Sequence, residues 1–272
     1  MITGLLGTYL CMPLFKNMLI SSNLVRPNYK NEMIPVSMGI SFLPMLVINS
    51  IILIYFENIV YHFTDDFSLK IYVAIFDFAL MSMFFAGIID DTVGNRNVSG
   101  LKGHFKSLFK GELTTGGFKA LFGGFVGILV SVMISKNIFD IIINTLVIAL
   151  STNLMNLLDL RPGRAIKGYL AIMIGIFVTS FASINTFLQF LIVPNVIAYF
   201  NSDLKAKSMM GDAGSNVLGI SIGVLFVVGY SFNVRVGWLL FLVLIHLITE
   251  KYSLTKIIEK VKILNFIDKL GR

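Results

Sequence analysis

Nine mostly apolar stretches divide this chain: residues 2–20, 36–56, 70–89, 119–135, 137–158, 168–182, 184–200, 214–231 and 234–249. A helix needs about 20 such residues to cross the hydrocarbon core of a bilayer. Inside a bilayer every backbone polar group must be satisfied within the protein, so such a chain folds as a helical bundle or a closed barrel. Period-two alternation is absent, which argues against the barrel. Charged residues make up 14% of the chain, against roughly 25% in soluble domains, too few to cover a globule of 272 residues. The 24 phenylalanines argue against disorder, and a single cysteine, Cys11, rules out a disulfide framework. The expected fold class is all-α: a multi-span integral membrane protein of about nine transmembrane helices.

The division between the sixth and seventh stretches rests on a short polar break at Ser183 and Asn185. No basic region precedes the first stretch and no small-residue cleavage site follows it, so it reads as a retained span. Basic residues in short loops orient a membrane protein. With the N-terminus outside and the C-terminus cytoplasmic, eighteen Lys and Arg fall on the inner side and three (Lys70, Lys136, Arg235) on the outer. Lys16 lies near the inner end of the first span, where it can snorkel. An error near residue 183 would break this alternation. The inner bias has two readings: it orients the chain, or it also attracts anionic lipids and phosphorylated substrates.

Residues 1–249 read as one transmembrane domain and residues 250–272 as a cytoplasmic tail. In the tail Ile257, Ile258, Val261, Leu264, Ile267 and Leu270 recur near helical spacing between lysines. Too charged to span, it is expected to lie on the inner leaflet as an amphipathic helix.

The aspartates carry the functional signal. Asp90 and Asp91 end the third span, Asp159 ends the fifth, and Asp212 precedes the eighth, all on the cytoplasmic side of this topology. Carboxylates gathered at a water-facing boundary suit Mg²⁺, a hard cation that keeps waters and shares substrate phosphates; each also has the plainer reading of a residue ending a helix at the interface. Asn153, Asn156 and Asp159, spaced i, i+3, i+6, share one broad helical face. They make either an interhelical hydrogen-bond seam or the polar wall of a cavity. Gly211-Asp212-Ala213-Gly214-Ser215 has the form of a tight turn into a helix, an anion-attracting N-terminus or an ordinary cap. In the loop from Thr92 to Phe118, Lys102, Lys106 and Lys110 recur every four residues; this basic surface suits a phosphate or a lipid headgroup. His104 in that loop is the one histidine placed for chemistry, and no cluster suits zinc. Asp77, near the middle of the third span, is either functional or bonded to a neighbouring helix.

Three of these segments, in this order, resemble the polyprenyl-phosphate N-acetylhexosamine-1-phosphate transferase superfamily, which contains the MraY- and WecA-type enzymes. They are Asp90-Asp91 after a span, Asn-x-x-Asn-x-x-Asp at 153–159, and Gly-Asp-x-Gly-Ser at 211–215. A fourth, Lys30 to Gly39, is similar to that family's basic-then-Pro-x-x-Gly-Gly segment, with Ser37 and Met38 in place of expected residues. The resemblance implies Mg²⁺-dependent transfer (Mn²⁺ as a substitute) of a sugar 1-phosphate from a nucleotide diphosphate sugar to a polyprenyl phosphate. It places this at the cytoplasmic face of the plasma membrane, in cell-wall polymer synthesis. It implies that Asp212 binds the metal, that Asp90 and Asp91 assist the metal or the lipid phosphate, and that Asp159 lines the diphosphate site, supported by Asn156. Lys30, Lys102, His104, Lys106, Asn153, Arg161, Arg164, Gly211, Gly214 and Ser215 complete the expected substrate contacts. Expected partners are the lipid, the nucleotide sugar and the membrane, with no nucleic acid and a homodimer left open.

The chain departs from that family in three ways. Pro162 stands where a second aspartate, associated with nucleotide recognition, is expected; no histidine follows His246, so the family's His-rich loop has no counterpart; and the chain is short. Arg161 and Arg164 are candidate substitute phosphate contacts. The alternatives are a non-catalytic polyprenyl-phosphate-binding or scaffold protein on the same fold, and a transporter, which would need an intramembrane path.

Overall fold

The computed structural model describes residues 1–56, 69–94, 107 and 111–272. The apolar stretches fold as helices α1 (Ile2–Ser21), α2 (Leu43–Tyr55, entered through a 3₁₀ turn at Met38–Phe42), α3 (Leu69–Val93), α4 (Thr115–Ile134), α5 (Ile138–Leu158), α6 (Arg164–Thr179), α7 (Ile184–Leu204), α8 (Gly211–Gly229) and α9 (Phe232–Lys251). Among the described residues seven helices are long and apolar enough to cross a membrane: α2 with its 3₁₀ turn, α3, α4, α5, α7, α8 and α9. The chain is thus an all-α protein with the character of a membrane-embedded bundle. The other two expected spans are α6, which has 16 residues, and α1, whose apolar run is interrupted by Thr8, Lys16 and Asn17. The polar break near residue 183 is a turn: α6 ends at Thr179, and the Ser183 hydroxyl caps α7 by accepting from the Asn185 N–H at 3.2 Å.

Helix α8 is the axis of the bundle. Every residue from Ala213 to Val227 is buried. Its glycines make this possible. A Cβ on Gly219 would strike the backbone of Ser151 and Thr152, and one on Gly223 would lie 2.6 Å from the Cα of Ile148. The pair, four residues apart, lets α5 and α8 meet backbone to backbone, the small-residue packing that lipid-embedded helices use in place of a hydrophobic drive. By contrast α4 and α9, two of the seven, present rows of exposed Leu, Ile, Val and Phe, the kind of surface a bilayer covers, and α1 exposes a similar row of Leu and Ile.

Polar side chains inside the bundle mostly have partners. Asp77 accepts from the Ser50 hydroxyl on α2 at 3.0 Å, the helix-to-helix bond that was one of its two expected roles. At one end of the bundle Arg235 pairs with Asp140 at 3.1 Å and donates to Asn144. The opposite end carries Arg26, Lys119, Arg161, Arg164 and Lys167, and there the ends of α3, α5 and α7 meet the starts of α4, α6 and α8.

A structure the hydropathy pattern did not predict closes that end. Strands β1 (Val25–Pro27) and β2 (Met33–Pro35) pair antiparallel, Arg26 opposite Ile34. Asn28 folds their connection: its side-chain oxygen accepts from the N–H groups of Lys30 and Glu32 at 2.8 and 3.0 Å, a local bond that short amide side chains favour in turns. The strand then runs beside the segment before α8, with Met209 N bonded to Pro35 O, Met38 N to Met209 O and Gly39 N to Met210 O.

Substituting Gly219 by Ala forces α5 and α8 apart. We expect a loss of about 1–3 kcal/mol, typical of overpacking, read as a lower midpoint of thermal unfolding in detergent. Gly175→Ala, where nothing lies within 4 Å of the added carbon, serves as the control and is expected to cause no loss.

Candidate functional site

Asp90 and Asp91 are adjacent in sequence but do different things. Asp91, buried at the end of α3, turns its carboxylate onto the first turn of α8. It accepts from the Asp212 N–H at 3.0 Å, the Ala213 N–H at 3.1 Å and the Ser37 hydroxyl at 2.7 Å. A helix N-terminus offers unpaired N–H groups and a positive dipole end, so Asp91 is a capping anion supplied from another helix. Arg26 steadies it by donating to its backbone carbonyl at 2.8 Å. Gly211, with φ of +73°, makes the turn; a Cβ there would clash with the Asp91 carboxylate.

Asp90 faces the other way. Its carboxylate lies 2.8 Å from the ammonium of Lys119 in the first turns of α4, and the same ammonium lies 3.1 Å from the carboxylate of Asp212. Lys119 is the cation shared by Asp90 and Asp212. Among the described residues no three His, Cys, Asp or Glu side chains surround one metal position. Mg²⁺ often takes only one or two carboxylates, completing its shell with water and phosphate oxygens. Asp90 and Asp212 offer that number of carboxylates, at a position where the Lys119 ammonium lies.

Beside this triad opens a cavity of about 390 Å³. One wall is the hairpin (Arg26, Pro27, Asn28, Tyr29), another is the turn from Asp159 to Pro162, and the floor carries Asp91, Asp203 and the segment from Met209 to Asp212. Asp159 stands just past the end of α5. Burial, and then the charges of Asp203, Asp212 and Asp91, push its carboxyl well above the usual carboxylate range. Asp203 accepts from the Gly163 N–H at 2.7 Å, so it ties the end of α7 to the turn that bears Asp159.

The structure therefore brings together Asp91, Asp159, Arg161, Gly211 and Asp212 on one cavity, with Asp90 joined to Asp212 through Lys119. Asn156 and Ser215 form the hydrogen-bond seam between α5 and α8. Ser215 donates to Asn156 at 2.7 Å, and Asn156 donates to Asn216 at 2.9 Å. Gly214 is buried in the α8 packing and Asn153 is half-buried on α5. Lys30 is exposed on the hairpin turn, its ammonium 5.5 Å from the ring of Tyr29. Arg164 is turned away from the cavity and engaged by Asp268 of the tail. Lys102, His104 and Lys106 lie outside the described residues, as do Arg96, Lys110, His62, Asp65 and Asp66.

Residues not singled out from the sequence as site residues are Asp203, Lys119, Arg26, Ser37 and Tyr29. Asp203 was detectable in principle, as a carboxylate at the inner end of the seventh stretch. Lys119 and Arg26 are, in the sequence, two of the eighteen basic residues that orient the chain. Compared with known proteins, the chain matches no family model and no curated protein.

The shared cation position predicts a competition. Lys119→Met leaves two carboxylates facing each other, so in EDTA the variant should unfold at a lower temperature than the natural chain. Millimolar Mg²⁺ should restore more of that loss in the variant than it adds to the natural chain. An equal response of both proteins counts against a common cation position. Asp159 predicts a pH effect. Its folded pKa lies above the unfolded value of about 3.9, so the folded state binds the extra proton, and stability falls as pH rises through the folded pKa. Asp159→Asn removes that loss. Its unfolding midpoint should match the natural chain's near pH 4 and exceed it at higher pH.

Proposed function

We propose that this chain is a phospho-glycosyl transferase acting on a polyprenyl phosphate at the cytoplasmic face of the plasma membrane, in cell-wall polymer synthesis. In this reading α1 and α6 also cross the bilayer, making nine spans with the N-terminus outside, and the cavity end faces the cytoplasm. The observation that carries it is the cavity itself, where Asp91, Asp159, Asp203 and Asp212 meet Arg26 and Arg161 at one end of the helical bundle. Its motifs are those that resemble the transferase superfamily. Mixed carboxylates and guanidinium groups at one opening suit a diphosphate, which needs cationic contacts, and a divalent cation, which needs anionic ones.

A sugar 1-phosphate would be transferred by attack of a lipid-phosphate oxygen on the sugar-bearing phosphorus. The new P–O bond forms as the bond to the bridging oxygen breaks, and the nucleoside monophosphate departs with that oxygen. A phosphate monoester loses its second proton near pH 6, so the acceptor needs little help from a base. Arg26 and Arg161 would hold phosphate oxygens, and Lys119, moved off Asp90 and Asp212, would face the same charge. Asp212 and Asp90 would hold Mg²⁺, which when bound neutralises charge developing on the phosphates. Asp91 acts through position, keeping the start of α8 in place.

One pair of observations favours a second reading, a polyprenyl-phosphate-binding protein without transfer. Lys119 already occupies the cation position between Asp90 and Asp212, and Pro162 stands at the cavity where the family has an aspartate. One assay separates the two. The purified protein is incubated in detergent with Mg²⁺, undecaprenyl phosphate and a panel of nucleotide sugars, and nucleoside monophosphate release is measured. Transfer predicts release that falls about a hundredfold or more in Asp212→Asn, the scale for losing one electrostatic stabiliser. Lipid-phosphate binding with no release from any donor selects the second reading.

A further inference from the structure

The tail forms two short helices, α10 (Leu254–Lys260) and α11 (Lys262–Lys269), which break at Val261. The burial of α11 is inverted relative to a soluble cap. Its acidic residue Asp268 is 7% exposed, while Ile263 is 71% exposed and Phe266 67%. Leu264, Ile267 and Leu270 are exposed as well.

The buried side is a dense polar joint to the bundle. Arg164 grips Asp268 with two bonds, at 2.7 and 2.9 Å, and donates to Thr255 at 2.9 Å. Lys167 donates to the carbonyls of Ile267, Asp268 and Leu270, satisfying the open C-terminal end of α11. Burial alone would raise the Asp268 carboxyl, but Arg164 and Arg272 together hold it below the usual carboxylate range. Arg272 also donates to the carbonyl of Pro162 at 2.9 Å. Pro162 lines the cavity, and the next residue, Gly163, is bonded to Asp203. The tail is therefore fastened to the cavity's own wall.

From this we infer that α11 is an interfacial strap: its apolar side seats in the headgroup layer of an anionic bilayer, and its polar side holds the turn from Asp159 to Arg164. Two features select that occupant. Only two residues, Tyr252 and Ser253, separate the end of span α9 from the start of α10, so the tail stays at the membrane boundary. Lys256, Lys260, Lys262 and Lys269 are all exposed, a cationic rim on these two helices, and with Asp268 paired to Arg164 only Glu259 opposes them there. Such a rim selects anionic over zwitterionic lipid. The inference rests on the membrane character of the helices and is independent of transfer chemistry.

The test uses the full chain in two kinds of vesicle, pure phosphatidylcholine and an equal mixture of phosphatidylcholine and phosphatidylglycerol. A bimane label at Phe266→Cys, in a Cys11→Ser background, reports contact with lipids carrying a nitroxide near the headgroup. Hydrogen exchange of the backbone amides of Leu160, Arg161, Gly163 and Arg164 in the unlabelled chain reports the cavity wall. The strap predicts strong nitroxide quenching in the mixed vesicles and exchange slower there by roughly fivefold or more, the effect of about one surface lysine at an anionic bilayer. Changing Lys256, Lys260, Lys262 and Lys269 together to Gln should erase the difference between vesicles. The strap is overturned if the label is quenched by aqueous iodide but not by lipid nitroxide, or is shielded only when protein density is raised, as a second copy would do. It is equally overturned if exchange at 160–164 does not depend on lipid charge.

Discussion

The cavity end of this protein depends on one carboxylate. Asp91 leaves the end of α3 and closes the start of α8 with bonds to the N–H groups of Asp212 and Ala213, while the Ser37 hydroxyl joins from the segment after the hairpin. Three pieces of chain distant in sequence are thereby held at one point. The bond suits its surroundings. At the boundary of an apolar bundle an unpaired helix N-terminus is expensive, and a carboxylate is costly to bury unless paired or hydrogen-bonded. Each relieves the other. Because Asp91 is committed in this way, Asp90 one residue earlier points elsewhere, and its direction brings it with Asp212 onto Lys119.

The rest of the bundle supports that point. Helix α8 reaches it from the interior because Gly219 and Gly223 let α5 lie against it, and the same contact places the end of α5, with Asp159, beside the start of α8. The seam of Asn156, Ser215 and Asn216 fixes the rotation of the two helices where their polar faces meet. From the outside the turn between α5 and α6 is held twice, by Asp203 through Gly163 and by Arg272 through Pro162. The cavity is thus formed by helix ends that other helix ends restrain, with the hairpin laid across as a lid-like wall.

Some of the charge at this end is spent on the fold. Arg164, expected to meet phosphate, is neutralised by Asp268 in a buried, two-pronged pair. Arg161, three residues before it, remains on the cavity. The difference is positional: Arg161 lies in the turn, whereas Arg164 begins α6 and projects toward the returning tail.

The sequence alone determined the helical membrane character, the approximate extent of the apolar helices, and the concentration of acids and bases near their ends. It could do so because hydropathy and charge are local properties that the bilayer reads residue by residue. The break at Ser183 was legible for that reason, and so was the position of Asp90, Asp91, Asp159 and Asp212 at helix ends. Tertiary structure alone decided which charge meets which. It put Asp91 on a helix N-terminus and Asp90 on a lysine, sent Arg164 to the tail, brought Asp203 to the cavity, and folded residues 25–35 into a hairpin. These outcomes follow from the direction in which each helix end points once its neighbours are packed. No window of consecutive residues contains that direction.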